Sequence, residues 1–252
     1  MRFVSCGKSD IGRVRKVNQD AFLCDAELGL FVVADGMGGH AAGEIAAQEA
    51  VQAIHDVIAR GKSVVRDFLA NPATRESTRA ICRLLESSVQ SATYLVFGMA
   101  EQKPACQGMG TTVSALLLAG AYGITAQVGD TRIYCIRDDD VIQLTEDHTL
   151  VNWQIREGML TPDEAARSPH RNVITRAVGN HDYVQVDTQV ISVRIGDRFL
   201  ICSDGLHGYV KRNELAELIA GDLDGACQRL LDLANQRGGR DNITAVIVEI
   251  AE

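Results

Sequence analysis

Long basic runs and long apolar runs are both missing from this chain of 252 residues. No stretch carries five or more consecutive basic residues, and the formal net charge is −8, which argues against a nucleic-acid-binding surface. No segment is apolar over the length that a membrane span or a secretory signal requires. The sequence therefore predicts a soluble, cytoplasmic protein that binds neither nucleic acid nor membranes.

Motifs that pair cysteines or histidines are missing as well. The seven cysteines are widely spaced and odd in number, which indicates reduced, buried thiols rather than a disulfide framework. Because no Cys-x-x-Cys or His-Glu-x-x-His pattern occurs, a zinc site is disfavoured. No cysteine precedes an arginine by six positions, so the chain lacks the minimal spacing of a cysteine-nucleophile phosphatase. His148, His170 and His207 are interpreted as surface or capping residues.

The order of helical and strand-like segments predicts a single α+β domain over residues 1–252, with no linker or repeat. Helical sequence runs from about 41 to 100, which we interpret as two long helices with a short piece between them. The runs 111–119, 122–128 and 132–137 predict an antiparallel meander, and 147–172 predicts a small helical excursion between strands. Further strands are predicted at 1–6, 21–24, 141–144, 183–193, 198–202 and 243–250, further helices at 213–220 and 223–236, and a basic loop at 7–20.

Aspartates flank the ends of five predicted strands, and three of them stand beside glycines. They are Asp20, Asp35, Asp130, Asp204 and Asp241. The apolar run 30–34 is typical of a buried strand that delivers Asp35 to a glycine turn before a helix. If these strand ends converge, five negative charges repel each other unless cations are bound, and oxygen ligands select hard ions such as Mg²⁺ or Mn²⁺.

Two such ions bridged by carboxylates lower the pKa of a bound water and hold both oxygens of an in-line displacement, which indicates a phosphate ester as substrate. Arg15, in the basic loop before Asp20, could hold phosphoryl oxygens through its planar guanidinium. Spacing alone does not separate Arg15 from the equally basic Arg13 and Lys16, which fit a solvated surface.

Two nucleotide-binding patterns occur in part and are both rejected. Residues 36–41 fit Gly-x-Gly-x-x-Ala, but helical sequence follows to about residue 100, where a dinucleotide fold requires a second strand ending in an acid. The tripeptides at 7–9 and 61–63 match the end of a phosphate-binding P-loop. Arg2 and Asp56, however, occupy the positions of its first glycine.

Eight short motifs follow one another along nearly the whole chain. They are Arg-Lys-Val-Asn-Gln-Asp at 15–20, Asp-Gly-Met-Gly-Gly-His at 35–40, Gly-Thr-Thr at 110–112, Gly-Asp-Thr-Arg at 129–132, Asp-His at 147–148, Thr-Arg-Ala-Val-Gly at 175–179, Ser-Asp-Gly-Leu at 203–206 and Asp-Asn-Ile-Thr at 241–244. Each motif is weak alone, whereas the ordered set is specific. Together they resemble the metal-dependent serine/threonine protein phosphatases, the PPM or type 2C family, in their compact bacterial form.

The resemblance implies a four-layer αββα sandwich, with two mainly antiparallel sheets flanked by helices and Mn²⁺ or Mg²⁺ at one end. Asp35 would bridge two core ions, completed by the Gly36 carbonyl, Asp204 and Asp241, with Asp20 acting mainly through water. Asp130, together with Asp204, would match a third, weaker metal of bacterial members. Arg15 would bind the substrate phosphate, and 147–172 would form a mobile flap that influences substrate access.

The sequence departs from the family pattern at several positions. Gln19 stands where many members have glutamate, which removes a negative charge near the metals, and Thr131 replaces a more usual serine. Met37 occupies the position of a histidine proposed as general acid in eukaryotic members. His40, three residues on, could take over that catalytic role or serve only to start the helix, and both interpretations stay open.

The resemblance implies a monomeric phosphatase in signal transduction that hydrolyses phosphoserine and phosphothreonine in proteins. It would oppose a bacterial serine/threonine kinase, and its partners would include that cognate kinase or the kinase's substrates. The alternative is a catalytically silent module that binds or regulates a phosphorylated partner. Because Asp35, Asp204 and Asp241 are all present, the enzyme is favoured.

Overall fold

The computed structural model describes residues 1–38, 42–72 and 74–252. The strands are β1 Arg2–Asp10, β2 Asp20–Asp25, β3 Leu30–Met37, β4 Gly110–Thr111, β5 Val113–Ala119, β6 Tyr122–Val128, β7 Arg132–Arg137, β8 Asp140–Gln143, β9 Asp187–Ser192, β10 Arg198–Cys202 and β11 Ile243–Ala251. The helices are α1 Ala42–Arg60, α2 Lys62–Ala70, α3 Arg75–Gln102, α4 Leu150–Arg156, α5 Pro162–Arg167, α6 Asp204–His207, α7 Leu215–Leu218 and α8 Leu223–Gln236.

The strands form two antiparallel sheets. The first has the order β1-β11-β10-β7-β8, and the second has the order β2-β3-β5-β6-β9 with the short β4 paired to β3. Helices α1 and α3 pack on the outer face of the second sheet, and α8 packs on the first. The structure therefore confirms the predicted α+β fold, in which two antiparallel sheets lie between layers of helices.

Alternation along the strands explains how one apolar run is buried on both faces. In β3, Leu30 and Val32 belong to the apolar cluster under α1 and α3, whereas Phe31 and Val33 belong to the cluster between the sheets. All four side chains are fully buried. Full burial of side chains of this size contributes roughly 1.5–3 kcal/mol each to folding, so β3 is a firm base for the acid at its end.

Three strand predictions are wrong. The predicted strand 183–193 is shorter, since β9 spans Asp187–Ser192. Strand β1 continues to Asp10, since β11 supplies hydrogen-bonding partners as far as the Asp10–Ile243 pair, so the predicted loop begins later than residue 7. The runs 111–119, 122–128 and 132–137 do not form one meander, because β7 pairs with β10 and β8 rather than with β6. The chain crosses between the sheets at Gly129, whose φ of +97° is left-handed.

Most helical predictions agree with the structure. The predicted helix 213–220 is shorter, since α7 spans only Leu215–Leu218, and the short helix α6 was not predicted. Helices α1, α2 and α3 lie where two long helices and a short piece were expected. Helix α5 begins with the expected capping box, in which Thr161 N–H donates to Glu164 at 2.8 Å. Within the described ranges, no helix combines the length and the apolar composition that crossing a membrane requires.

The segment 147–172, called the flap segment below, contains α4 and α5 and leaves the sheets at a narrow neck. Leu150 N–H donates to the Val173 carbonyl, and Thr175 N–H donates to the His148 carbonyl, each at 2.8 Å. The two ends of the segment therefore lie side by side, although its mobility stays a prediction.

Candidate metal centre

The strand ends bring all five aspartates to one end of the sandwich. In the β2–β3 pair, Asp20 lies opposite Asp35. Strands β10 and β11 are adjacent. Asp204 lies just after the end of β10, and Asp241 lies two residues before the start of β11. Asp130 lies at the crossing from β6 to β7. The pKa of Asp35 is raised well above its ordinary value, first by burial and then by the charges of the other four carboxylates.

Hydrogen bonds to the backbone hold Asp35 in place. Its N–H donates to the Thr112 hydroxyl at 3.0 Å, and its carbonyl accepts from the Thr112 N–H and the Thr111 hydroxyl, both at 2.9 Å. These contacts explain why the Gly-Thr-Thr motif accompanies the acid, although the motif lies more than 70 residues later in the chain.

Glycine is required where the backbone passes behind the aspartates. A Cβ on Gly36 would lie 2.0 Å from the Gly43 carbonyl oxygen, and a Cβ on Gly205 would lie 1.9 Å from the Asn242 carbonyl oxygen. Since both obstacles are backbone atoms, no rotamer change can relieve the contact. The Asp-Gly pairs at 35–36 and 204–205 therefore place their acids by close backbone packing.

Asp20 is buried beside two hydroxyl donors. Its Oδ2 accepts from Ser203 at 2.7 Å and from Thr244 at 2.6 Å, whereas Oδ1 is buried without a hydrogen-bonding partner among the described residues. Burial raises the pKa of Asp20 to about 7, with the hydroxyls opposing the increase and the charges of Asp204 and Asp241 adding to it.

Asp204 also has an unsatisfied oxygen. Its Oδ1 is buried and unpartnered within the described part of the chain. Burial, followed by the charge of Asp241, raises the pKa of Asp204. Because buried carboxylates lie beside one another here, the centre favours any added positive charge.

The donor set fits a hard divalent cation. It consists of oxygen atoms alone, and the buried Oδ1 atoms of Asp20 and Asp204 lack other partners in the described structure. No group of three or more His, Cys, Asp or Glu side chains in the described ranges is arranged closely enough to hold a metal ion. Cation binding would therefore require the carboxyls to move together.

Arg15 lies beside the carboxylates, a position that spacing in the sequence could not indicate. Its guanidinium Nη2 donates to Asp241 Oδ2 at 2.7 Å, while about half of the side chain remains exposed. This hydrogen bond, reinforced by the charges of Asp241, Asp35 and Asp204, raises the pKa of Arg15. Arg13 and Lys16 are exposed and form no side-chain ion pair with the described residues.

Side chains from distant parts of the sequence hold the loop that carries Asp130. Gln127 Nε2 donates to the carbonyls of Gly129 and Thr131, at 3.0 and 2.8 Å. His148 Nδ1 accepts from Gly129 N–H at 3.1 Å, and His207 Nε2 lies 2.9 Å from the Asp130 carbonyl, to which it donates. The loop backbone is therefore hydrogen-bonded on both sides of Asp130.

The interpretation of His148 and His207 as surface or capping residues is wrong. His148 is only 7% exposed, and His207 is half-buried beside Asp130. Burial, with the Arg132 charge as the next cause, lowers the pKa of His207 to about 4, so its ring is neutral at pH 7. Nothing local in the sequence indicates these contacts, because the Asp130 carbonyl lies 77 residues before His207.

A structural ion pair accounts for two further motifs. Arg132 donates to Asp147 through Nε at 2.9 Å and through Nη2 at 2.6 Å, in the bidentate geometry that arginine favours. Asp130 is 9% exposed, and burial, followed by the charges of Asp204 and Asp147, raises its pKa to about 7. His40, the candidate general acid, lies outside the described residues.

A family model described as protein phosphatase 2C matches residues 6–246. The chain belongs to this family. It is 35% identical over 246 residues to the serine/threonine protein phosphatase PstP of Mycobacterium tuberculosis, covering 97% of this chain and 44% of PstP. It is 33% identical over 247 residues to the serine/threonine phosphatase stp of Listeria innocua, covering 96% of this chain and 94% of that protein.

The fold also matches a solved structure of the same family. The PstP catalytic domain in complex with two manganese ions has a TM-score of 0.84 and 32% identity to this chain, covering 100% of this chain and 99% of that one. These similarities confirm the predicted type 2C resemblance. The chain spans less than half the length of PstP as a whole.

Proposed function

We propose that this member of the protein phosphatase 2C family hydrolyses phosphoserine and phosphothreonine in proteins with water activated by divalent metal ions. The observation that carries the proposal is the convergence of five aspartates, two of them with buried, unpartnered oxygens, beside the guanidinium of Arg15. Relatives named as serine/threonine phosphatases, and the two manganese ions in PstP, support it.

The charges at the centre match two Mn²⁺ or Mg²⁺ ions. When ionised, the five carboxylates and Arg15 together carry a charge of −4, which two divalent cations neutralise. A glutamate in place of Gln19 would add another negative charge. Burial, followed by the charges of neighbouring carboxylates, raises the pKa values of Asp20 and Asp35, and bound cations would offset both effects.

The residues divide into a core set and a weaker set. Asp35, the Gly36 carbonyl, Asp204 and Asp241 would hold the two core ions, and Asp20 would orient coordinating water. Asp130, with Asp204, would hold a third, weaker ion. When bound, the core pair supplies a water of lowered pKa and neutralises phosphoryl charge.

Arg15 would orient the phosphoryl group. Among the described residues, one of its five N–H donors is used, on Asp241, which leaves the others available for phosphoryl oxygens. The bond to Asp241 meanwhile keeps the guanidinium at the edge of the centre. His40 stays open between a general acid and a residue that starts α1.

The biological setting extends this proposal. We infer a cytoplasmic, monomeric enzyme of signal transduction that opposes a serine/threonine kinase and acts on that kinase or its substrates. The silent-module alternative has no specific structural support, since Asp35, Asp204 and Asp241 are all present and converge.

The deciding experiment is hydrolysis of a phosphothreonine peptide with added Mn²⁺, using EDTA and the Asp204→Asn variant as controls. We expect phosphate release that both controls abolish. If the wild-type protein binds Mn²⁺ and the peptide but releases no phosphate, the enzyme proposal fails and the silent module replaces it.

A further inference from the structure

A cleft of about 810 Å³ lies between the flap segment and the loop before β11. This volume lies within the usual range of ligand pockets, roughly 300–1,000 Å³, and leaves room for more than one phosphorylated side chain. Apolar side chains of the flap segment line one wall, namely Val151, Ile155, Ala165 and Ala166. The cleft can therefore pack against a stretch of polypeptide as well as a phosphate.

The cleft opens onto the metal centre through Asp130, Asp204 and Asp241. Asp241 marks the junction, because the residue lines the cleft and its Oδ2 accepts the hydrogen bond from Arg15. A substrate whose phosphoryl group meets Arg15 therefore lies next to the cleft, since Asp241 is shared by both. Residues next to the phosphorylated one can extend into it.

Four arginines line the cleft, and two of them are fully engaged by the protein itself. Arg132 is bound by Asp147 and by the Tyr134 hydroxyl. Arg237 donates to both carboxylate oxygens of Glu214, at 2.6 and 2.8 Å, and to the Tyr209 carbonyl at 2.7 Å. These two guanidiniums hold the walls of the cleft and have little capacity left for a ligand.

The other two, Arg171 and Arg240, are different. Both are exposed, and neither side chain forms a hydrogen bond or ion pair within the described part of the chain. They come from opposite sides, because Arg171 follows α5 in the flap segment and Arg240 directly precedes Asp241. A guanidinium is suited to bidentate binding of a carboxylate or a phosphate.

We propose that the substrate segment beside the phosphorylated residue lies in this cleft, where Arg171 and Arg240 select an anionic side chain within a few residues of the phosphorylation site. This inference rests on the proposed function. The anionic group is a carboxylate or a second phosphate, since both present the same paired oxygens. The apolar flap wall strengthens the charge interaction by excluding water.

A weaker explanation is electrostatic steering, in which exposed arginines only attract negatively charged peptides. Under steering, the association rate increases with the overall negative charge of the peptide, and added salt reduces the effect. Docking in the cleft depends instead on where the anionic residue stands in the peptide. Peptides of equal net charge, with one glutamate moved through successive positions on each side of phosphothreonine, distinguish the two.

The experiment measures kcat/KM for phosphate release from this peptide panel with saturating Mn²⁺. At one or two positions we expect the glutamate peptide to exceed its glutamine counterpart about tenfold, which corresponds to about 1.4 kcal/mol. In the Arg171→Gln/Arg240→Gln double variant this ratio falls to about one. The matched control Arg66→Gln, at an exposed arginine on α2 that does not line the cleft, keeps the wild-type ratio.

Charge reversal separates a specificity role from a structural one. In Arg240→Glu, lysine replaces glutamate as the preferred residue at the same position, which a merely damaged cleft would not produce. A peptide with a second phosphothreonine at that position identifies the source of the anion. If kcat/KM for this peptide clearly exceeds that for the glutamate peptide, the preferred anion is a second phosphate. If the two values are equal, a carboxylate suffices.

Two failures have different meanings. If all peptides are hydrolysed with no dependence on position, the inference is overturned and the proposed function stands. If none is hydrolysed, the proposed function fails, and fluorescence anisotropy of the same labelled peptides with Mn²⁺ tests the cleft separately. Position-dependent affinity that is lost in the double variant then supports the inference, and uniform affinity overturns it.

Discussion

The two sides of the metal centre are constructed in different ways. Asp20 and Asp35 lie opposite each other on paired strands; β3 is buried in both adjoining layers, and the apolar side chains of β2 are partly buried against the same layers. Asp130 lies on a crossing between the sheets, where Gln127, His148 and His207 bind the backbone around it. The strand side is supported by the core, whereas the loop side depends on individual side chains.

This difference suggests how a strong and a weak metal site can share one centre. Strand pairing holds Asp20 and Asp35 with many cooperative contacts, so single substitutions nearby should leave their spacing intact. The Asp130 loop has few supports, and each can be removed separately. Substitutions at outer hydrogen-bonding partners typically reduce metal affinity by about 10–100-fold.

The largest expected effect comes from the strand side. We expect Asp35→Asn to lower kcat on the order of 1,000-fold, about 4 kcal/mol of transition-state stabilisation, because it removes the carboxylate whose pKa the charges of all four others raise. In EDTA the variant should unfold at a temperature no lower than wild type, since asparagine removes a charge that four neighbours disfavour. Phosphate release and thermal unfolding measure the two effects.

Asp67→Asn, at an exposed aspartate on α2, is the matched control and should change neither quantity. Loss of activity together with a much lower unfolding temperature in EDTA would show instead that Asp35 supports the fold. Full activity in Asp35→Asn would contradict its assignment to the core ions.

A smaller effect is expected on the loop side. His207→Ala removes the donor to the Asp130 carbonyl, so we expect the weakest Mn²⁺ site to lose affinity by about tenfold while the two core sites keep theirs. Calorimetric titration with Mn²⁺ measures each affinity without relying on activity. His170→Ala, at an exposed histidine of the flap segment, is the control. Equal weakening of all sites would remove the distinction between the two sides.

Local sequence patterns predicted the strand side well and the loop side poorly. The apolar run 30–33 requires burial on both faces, and the glycine after Asp35 marks the end of the strand, so both could be inferred from neighbours in sequence. In sequence, the crossing between the sheets at Gly129 cannot be told from a hairpin turn. What differs from a hairpin is the packing of Gly129 against Thr112, since a Cβ on Gly129 would lie 2.5 Å from that side chain.

Contacts between distant residues explain the other omissions. The partner of Arg15 is Asp241, 226 positions later, so spacing alone could not separate Arg15 from Arg13 and Lys16. The family resemblance singled out Arg15 as the phosphate-binding residue, which stays a prediction, and the structure places this side chain beside Asp241. The resemblance did not indicate the histidines at the Asp130 loop, whose importance depends on where their rings lie in three dimensions.

The smallest predicted effect concerns the pH dependence of the loop side. Burial, followed by the Arg176 charge, lowers the pKa of His148 below its usual 6.5, so folding disfavours the protonated ring. The native state binds fewer protons than the unfolded state in this range, and the free energy of unfolding therefore falls as pH decreases below about 6.5. Titration of one histidine changes the free energy of unfolding by at most about 1.4 kcal/mol per pH unit.

We expect His148→Gln, which keeps an acceptor for the Gly129 N–H, to reduce this slope between about pH 7.5 and 5.5. Urea unfolding with saturating Mn²⁺ measures this slope while bound metal holds the core carboxylates. His170→Gln should keep the wild-type slope, because that ring is exposed. Asp187, whose pKa is lowered by Arg176 and His148 despite partial burial, stays charged over this range and does not contribute. Identical slopes in wild type and His148→Gln would show that protonation of His148 does not contribute to the pH dependence of stability.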